Sequence, residues 1–194
     1  MWWLLTRRTH VFLALGTAVF LVLLLLLQDR SSALPSFGSG GSVTVRLAVF
    51  VPIPLVAALM ASLDSRLRAP EISGVRRIDL RDAALVLGVV AVATVVSVAA
   101  GALVGSQVAQ AAGRNVAFLT GLMLLGRALF GQGGALLPTA WVMAVVLVGF
   151  RTTADPYPWT IVPEPVGAPH AAAGAALMLA VGVLAQIRTS RTYA

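Results

Sequence analysis

The chain has 194 residues, of which 59% are hydrophobic and 11% charged, with a mean hydropathy of +0.93; these values lie outside the range of soluble globular domains. About six membrane segments of ~20 residues would leave only short loops and tails between and around them, which excludes a sizeable extramembrane catalytic domain. The net charge of +7 comes from arginines placed mostly in loops, so the expected counterion is an anionic membrane surface rather than nucleic acid.

With no cysteine, the chain cannot use disulfides, thiolate nucleophiles or cysteine-held metals. Apolar runs cover residues 11–27, 43–63, 83–104, 116–130, 135–150 and 168–187. Each is close to what a helix needs to cross an ~30 Å hydrocarbon layer, and none alternates as a barrel strand would. The expected fold is therefore an all-α integral membrane protein, a single transmembrane domain of about six helices spanning 1–194.

The first run, behind Arg7 and Arg8, imitates a secretory signal with Ser31, Ser32 and Ala33 as a cleavage site. Its length and the intruding Gln28, Asp29 and Arg30 favour a retained first span. Pro52 and Pro54 interrupt the second run, and each removes a backbone donor, so that helix is expected to kink or split. Five arginines (Arg66, Arg68, Arg76, Arg77 and Arg81) then fall in one short polar loop, 64–82. The loop also carries Glu71 and the aliphatics Leu67, Ile72, Val75, Ile78 and Leu80. It reads either as an orientation signal held against anionic lipid or as a coupling element that enters a groove on a soluble partner.

Along the third run, Ala93, Ser97, Gly101 and Gly105 recur every four residues, a spacing that lets a neighbouring helix approach closely. Ala168, Ala172, Ala176 and Ala180 repeat the pattern on the sixth. The fourth and fifth runs are short and separated only by 131–134, Gly-Gln-Gly-Gly, so they form either two full spans or a re-entrant hairpin. Five prolines then crowd residues 156–169 around Tyr157 and Trp159, which suits membrane anchoring or a small external cap. Six spans with the N-terminus inside place ten arginines on the inner side and four on the outer, in keeping with the positive-inside rule. The expected location is the cell membrane, multi-pass, with both termini cytoplasmic.

The chemistry of catalysis is missing from the pattern. No acidic, basic or histidine side chain lies near the middle of a proposed span, and His10 and His170 sit at span edges. No nucleophile elbow, zinc-binding histidine pair or phosphate-binding loop is present, and the chain has no lysine at all. No catalytic residue, metal site or directly bound cofactor is expected.

In layout, this chain resembles the membrane subunit of a type-2 ABC exporter, of the compact actinobacterial kind. The resemblance rests on the six spans, the basic loop 64–82 between spans two and three, and the Pro/Trp-containing stretch 156–165 before the last span. It implies a permease without its own ATPase site. Such a subunit pairs with a second identical or related permease to form a translocation path, while separate ATPase subunits bind ATP and Mg. Residues 68–80 would transmit the ATPase movement through Arg68, Glu71, Ile72, Val75, Arg76, Arg77, Ile78 and Leu80, with Glu71 as the acidic contact. Tyr157 and Trp159 would lie in the external cap. The cargo class would be a hydrophobic compound, a peptide or a lipid. The alternative is a membrane scaffold or accessory subunit that transports nothing. The chain departs from that family in its short N-terminal tail, where Trp2, Trp3 and Leu4 stand in for an interface helix.

Because the chain lacks cysteine, a single Ser65→Cys variant reports topology directly. An impermeant maleimide should label it only after the inner face is opened; labelling of intact cells would reverse the orientation.

Overall fold

A computed structural model of the chain describes residues 9–38, 41–64, 78–152 and 155–192. The fold is mostly helical. Helix α1 (Thr9–Leu27) leads into a hairpin of β1 (Ser31–Ser36) and β2 (Gly41–Arg46), then a 3-10 turn (Leu47–Phe50) and α2 (Pro52–Asp64). Beyond residue 77 come α3 (Ile78–Val104) and α4 (Gln107–Phe130). A second 3-10 segment (Gly131–Leu136) precedes α5 (Leu137–Val148), β3 (Phe150–Thr152), β4 (Asp155–Pro156), a third 3-10 turn (Pro158–Thr160) and α6 (Pro169–Thr192).

Among the described residues, four stretches are long and apolar enough to cross a membrane, as in a multi-pass membrane protein: Leu47–Asp64, Leu80–Val104, Gln107–Val148 and Pro169–Thr189. A shorter apolar helix covers Val11–Leu27. Large apolar side chains stand exposed on α1 (Leu15, Leu26), α3 (Val95, Leu103) and α6 (Leu177, Leu184). In water such a surface would drive association; in hydrocarbon it is matched by its solvent.

The six expected runs map onto helices with corrected bounds. Val43 to Arg46, expected to open the second span, form a strand instead. Val43 and Val45 point inward while their neighbours point out, the period-two pattern of a strand. The helix begins only at Pro52, so both prolines lie in its first turn, where the missing N–H groups have no helical acceptor anyway. The second run is thus split rather than kinked.

Helix α4 begins nine residues before the expected 116. Ser106 caps it by accepting a hydrogen bond from the Ala109 N–H at 3.3 Å. Helix α5 has 12 residues and rises only about 18 Å, short of the hydrocarbon thickness. It folds back on α4 through the 3-10 segment, where Gly134 meets Gly126 backbone to backbone. Short as it is, α5 runs back along α4, and the Phe150 that follows it shares a cavity with Gln107 and Ala111 at the start of α4.

Close packing is arranged by small residues. A Cβ on Gly121 would overlap the backbone of α6 at Met178, and one on Gly182 would overlap Gly121. Gly113 faces Thr94 of α3 in the same way, and Gly16 of α1 faces Ala58 of α2. Phe118, Leu119, Met123 and Leu124 of α4 fill the centre together with Leu59 and Leu63 of α2.

Gly113→Leu should therefore lower stability by about 1–3 kcal/mol through overpacking, read from thermal unfolding in detergent by circular dichroism. Gly88→Leu on the open side of α3, where an added Cβ meets nothing within 4 Å, should stay within about 0.5 kcal/mol. Equal losses at both positions would contradict this packing.

Candidate functional site

Helix α4 separates two polar ends. At one end, Arg127 Nη2 lies 2.8 Å from Asp64 Oδ1, joining the last turn of α4 to the last residue of α2. At the other, Arg114 and Asn115 hold the segment that precedes α6. Thirteen residues at 1.5 Å each separate Arg114 from Arg127, placing the two ends about 20 Å apart.

The Arg114 guanidinium donates to the carbonyls of Pro165 (2.8 Å), Ile161 (3.2 Å) and Glu164 (2.6 Å). It also donates twice to Asn115 Oδ1, at 3.2 and 3.1 Å. Asn115 Nδ2 in turn donates to the Val162 carbonyl at 2.9 Å. The planar five-donor fork of arginine can satisfy several carbonyls at once, which an ammonium cannot match in geometry. The clamp holds Ile161 at φ 56°, in the left-handed region that β-branched residues rarely adopt. Its side chain fits against Gly174, where a Cβ would collide with it.

An aromatic column runs from this clamped segment into the bundle. Phe118 and Trp141 have centroids 5.5 Å apart, Trp141 and Trp159 meet edge to face at 5.7 Å, and Tyr157 stacks on Trp159 at 6.5 Å. The Arg151 guanidinium lies 4.8 Å over the Tyr157 ring. The β1–β2 hairpin closes the same end: Phe37 N–H (2.8 Å) and Ser36 Oγ (3.1 Å) both donate to the Leu147 carbonyl at the end of α5. Between hairpin, α4 and clamped segment lies a cavity of about 280 Å³ whose lining includes Arg46, Val49, Gln107, Asn115, Phe150 and Glu164.

The residues singled out in the sequence fall in different places. Arg68, Glu71, Ile72, Val75, Arg76 and Arg77 lie outside the described residues, and Ile78 and Leu80 occupy the first turn of α3, with Leu80 half exposed. Ala93, Ser97 and Gly101 are buried, with Gly101 against Gln110 and Ser106 near the start of α4. Gly105 is not on that helix face; it forms the turn to α4 at φ 69°. Tyr157 and Trp159 are brought together as described. On α6 the expected stripe is mostly reversed: Ala172, Ala176 and Ala180 face outward, while Ala171, Ala175 and Gly182 make the contact.

Arg114, Asn115 and Trp141 were not foreseen as site residues. Arg114 falls between the expected runs 83–104 and 116–130, although an Arg-Asn pair directly abutting an apolar run is itself a signal of a buried polar anchor. Among the described residues, no three His, Asp or Glu side chains gather as metal ligands would.

No protein-family model, curated protein or solved structure matches this chain.

Arg114→Gln should loosen the 157–168 segment, costing about 3 kcal/mol or more for three charge-assisted hydrogen bonds. Arg114→Lys should restore little of it. Limited proteolysis should show faster cleavage within that segment in both variants, and an unchanged rate would remove the clamp from the account.

Proposed function

We propose that this chain is a membrane subunit of an ATP-driven exporter, lacking its own ATPase site and working with separate ATPase subunits and a second permease. The observation that carries the reading is the separation of two polar ends along α4. The arginine-bearing stretch 65–77 joins Asp64 of α2 to the start of α3. Asp64 is tied to Arg127, about 20 Å along α4 from the clamp at Arg114. A soluble motor docking at 65–77 would thus push on helices whose far ends meet a braced cap.

Two further features support the reading. The Asp64–Arg127 pair gives a mechanical link from the root of the docking stretch to the central helix, so movement there is passed to α4. The large exposed apolar faces of α1 and α3 suit a second permease subunit or lipid, and an apolar groove of about 240 Å³ runs between them beside Phe20, Leu55 and Val89. Apolar cargo is the class that such walls would admit. Glu71 is the acidic contact with the motor, and Ile72 and Val75 supply the apolar grip.

Purification of the chain from its native membrane should recover a stoichiometric ATPase. Replacing Glu71, Ile72 and Val75 together with alanine should abolish that recovery or uncouple ATP turnover from the permease. Recovery of a membrane complex without an ATPase, unaffected by the triple replacement, would favour a scaffold instead.

A further inference from the structure

The cavity at the hairpin end contains two charged side chains that the protein leaves poorly matched. Arg46 closes β2 and is exposed; among the described residues, its guanidinium makes neither an ion pair nor a hydrogen bond. Glu164 lines the same cavity with its side chain only 11% exposed. Among the described residues, its carboxylate has one ion-pair neighbour, His170 Nε2 at 3.6 Å, beyond hydrogen-bond reach. The Arg114 charge acts on this carboxylate without an ion pair or a hydrogen bond to it among the described residues, so its oxygens are open to hydrogen bonds from a ligand.

The second cation nearby is not available to a ligand. Arg114 spends its donors on the carbonyls of Pro165, Ile161 and Glu164 and on Asn115. Among the described residues, the charged side chains that line the cavity are therefore Arg46, a cation without a partner, and Glu164, a mostly covered anion, and Val49, Phe150 and Val162 add apolar wall. A bare anion would leave Glu164 repelled, and a bare amine would leave Arg46 unused. At about 280 Å³ the space lies just under the roughly 300–1,000 Å³ typical of small-molecule sites, enough for a headgroup and too little for a folded peptide.

We propose that this cavity binds a small zwitterion, its ammonium group donating to Glu164 and its phosphate or carboxylate group accepting from Arg46. The ligand is either the headgroup of an aminophospholipid or a free zwitterion of the same chemistry. The site stands independently of the exporter reading, because it needs neither an ATPase nor a second subunit.

The test uses the full chain, purified in non-ionic detergent and stripped of lipid, with bound species counted by native mass spectrometry. Two pairs of probes are compared: phosphatidylethanolamine against phosphatidylglycerol, and soluble phosphoethanolamine against glycerol phosphate. The ammonium-bearing member of at least one pair should be retained about tenfold more strongly, the value of one charge-assisted hydrogen bond. Preference in the lipid pair alone assigns the site to a membrane headgroup; preference in the soluble pair assigns it to a free zwitterion.

Glu164→Gln keeps the backbone carbonyl that Arg114 uses and should abolish the preference. Arg46→Gln, at an exposed position, should lower retention of all four probes several-fold, and it decides the matter if the Glu164 variant fails to fold. No preference in either pair, a preference that survives Glu164→Gln, or retention unchanged by Arg46→Gln would overturn the proposal.

Discussion

Three glycines on one buried helix set the spacing of most of what surrounds it. Helices in hydrocarbon gain no hydrophobic free energy by meeting, because lipid tails are as apolar as leucine; they associate through backbone-close packing and hydrogen bonds. Helix α4 supplies that contact on several sides. Gly113 admits α3 at Thr94, Gly121 admits α6 at Met178, and Gly126 admits the turn that returns into α5. Side chains at these points would force the neighbours outward and weaken every dispersion contact between them. The helix is correspondingly buried along most of its length.

Glycine notches fix how near the helices lie but not their relative heights. Polar anchors do that. Arg114 and Asn115 hold the segment before α6 at one end of α4, and Arg127 meets Asp64 at the other. In a surrounding of low dielectric, a guanidinium bound to several carbonyls is hard to shift, since any slippage strands a charge or a carbonyl. The left-handed conformation of Ile161 shows the firmness of the hold, because a β-branched residue adopts it only when its surroundings leave no alternative. The aromatic column from Phe118 to Tyr157 then grows outward from a fixed base, and the cavity beside it inherits its shape from the same clamp.

Much of the helical skeleton was legible in the sequence, because apolar runs of membrane length leave few alternatives. The glycine-rich stretch 131–134 correctly marked a tight return, and Pro52 and Pro54 correctly marked an interruption. What could not be read was how apolar residues near an edge divide between helix and strand. Val43 and Val45 suit a strand as well as a helix, and only pairing with Leu34 and Ser32 across the hairpin selects the strand. The start of α4 was hidden because Gly113, Arg114 and Asn115 look like loop residues until their partners are known. The outward turn of Ala172, Ala176 and Ala180 has a similar cause. Two small-residue faces lie side by side on α6, and the choice between them is made by where Gly121 opens space. Of the site, Tyr157 and Trp159 were visible as a proline-framed aromatic pair, whereas the clamp beneath them depends on contacts across about fifty positions of sequence.

Notches on α4, above all the contact of Gly121 with α6, hold the bundle together. A double-mutant cycle of Gly121→Ala and Gly182→Ala, followed by reversible unfolding in detergent, tests this most directly. Each added methyl alone should destabilise the protein. Together they should cost less than the sum by about 1 kcal/mol, since the first already pushes the helices apart at the shared contact. Strict additivity, or two neutral single variants, would contradict the account.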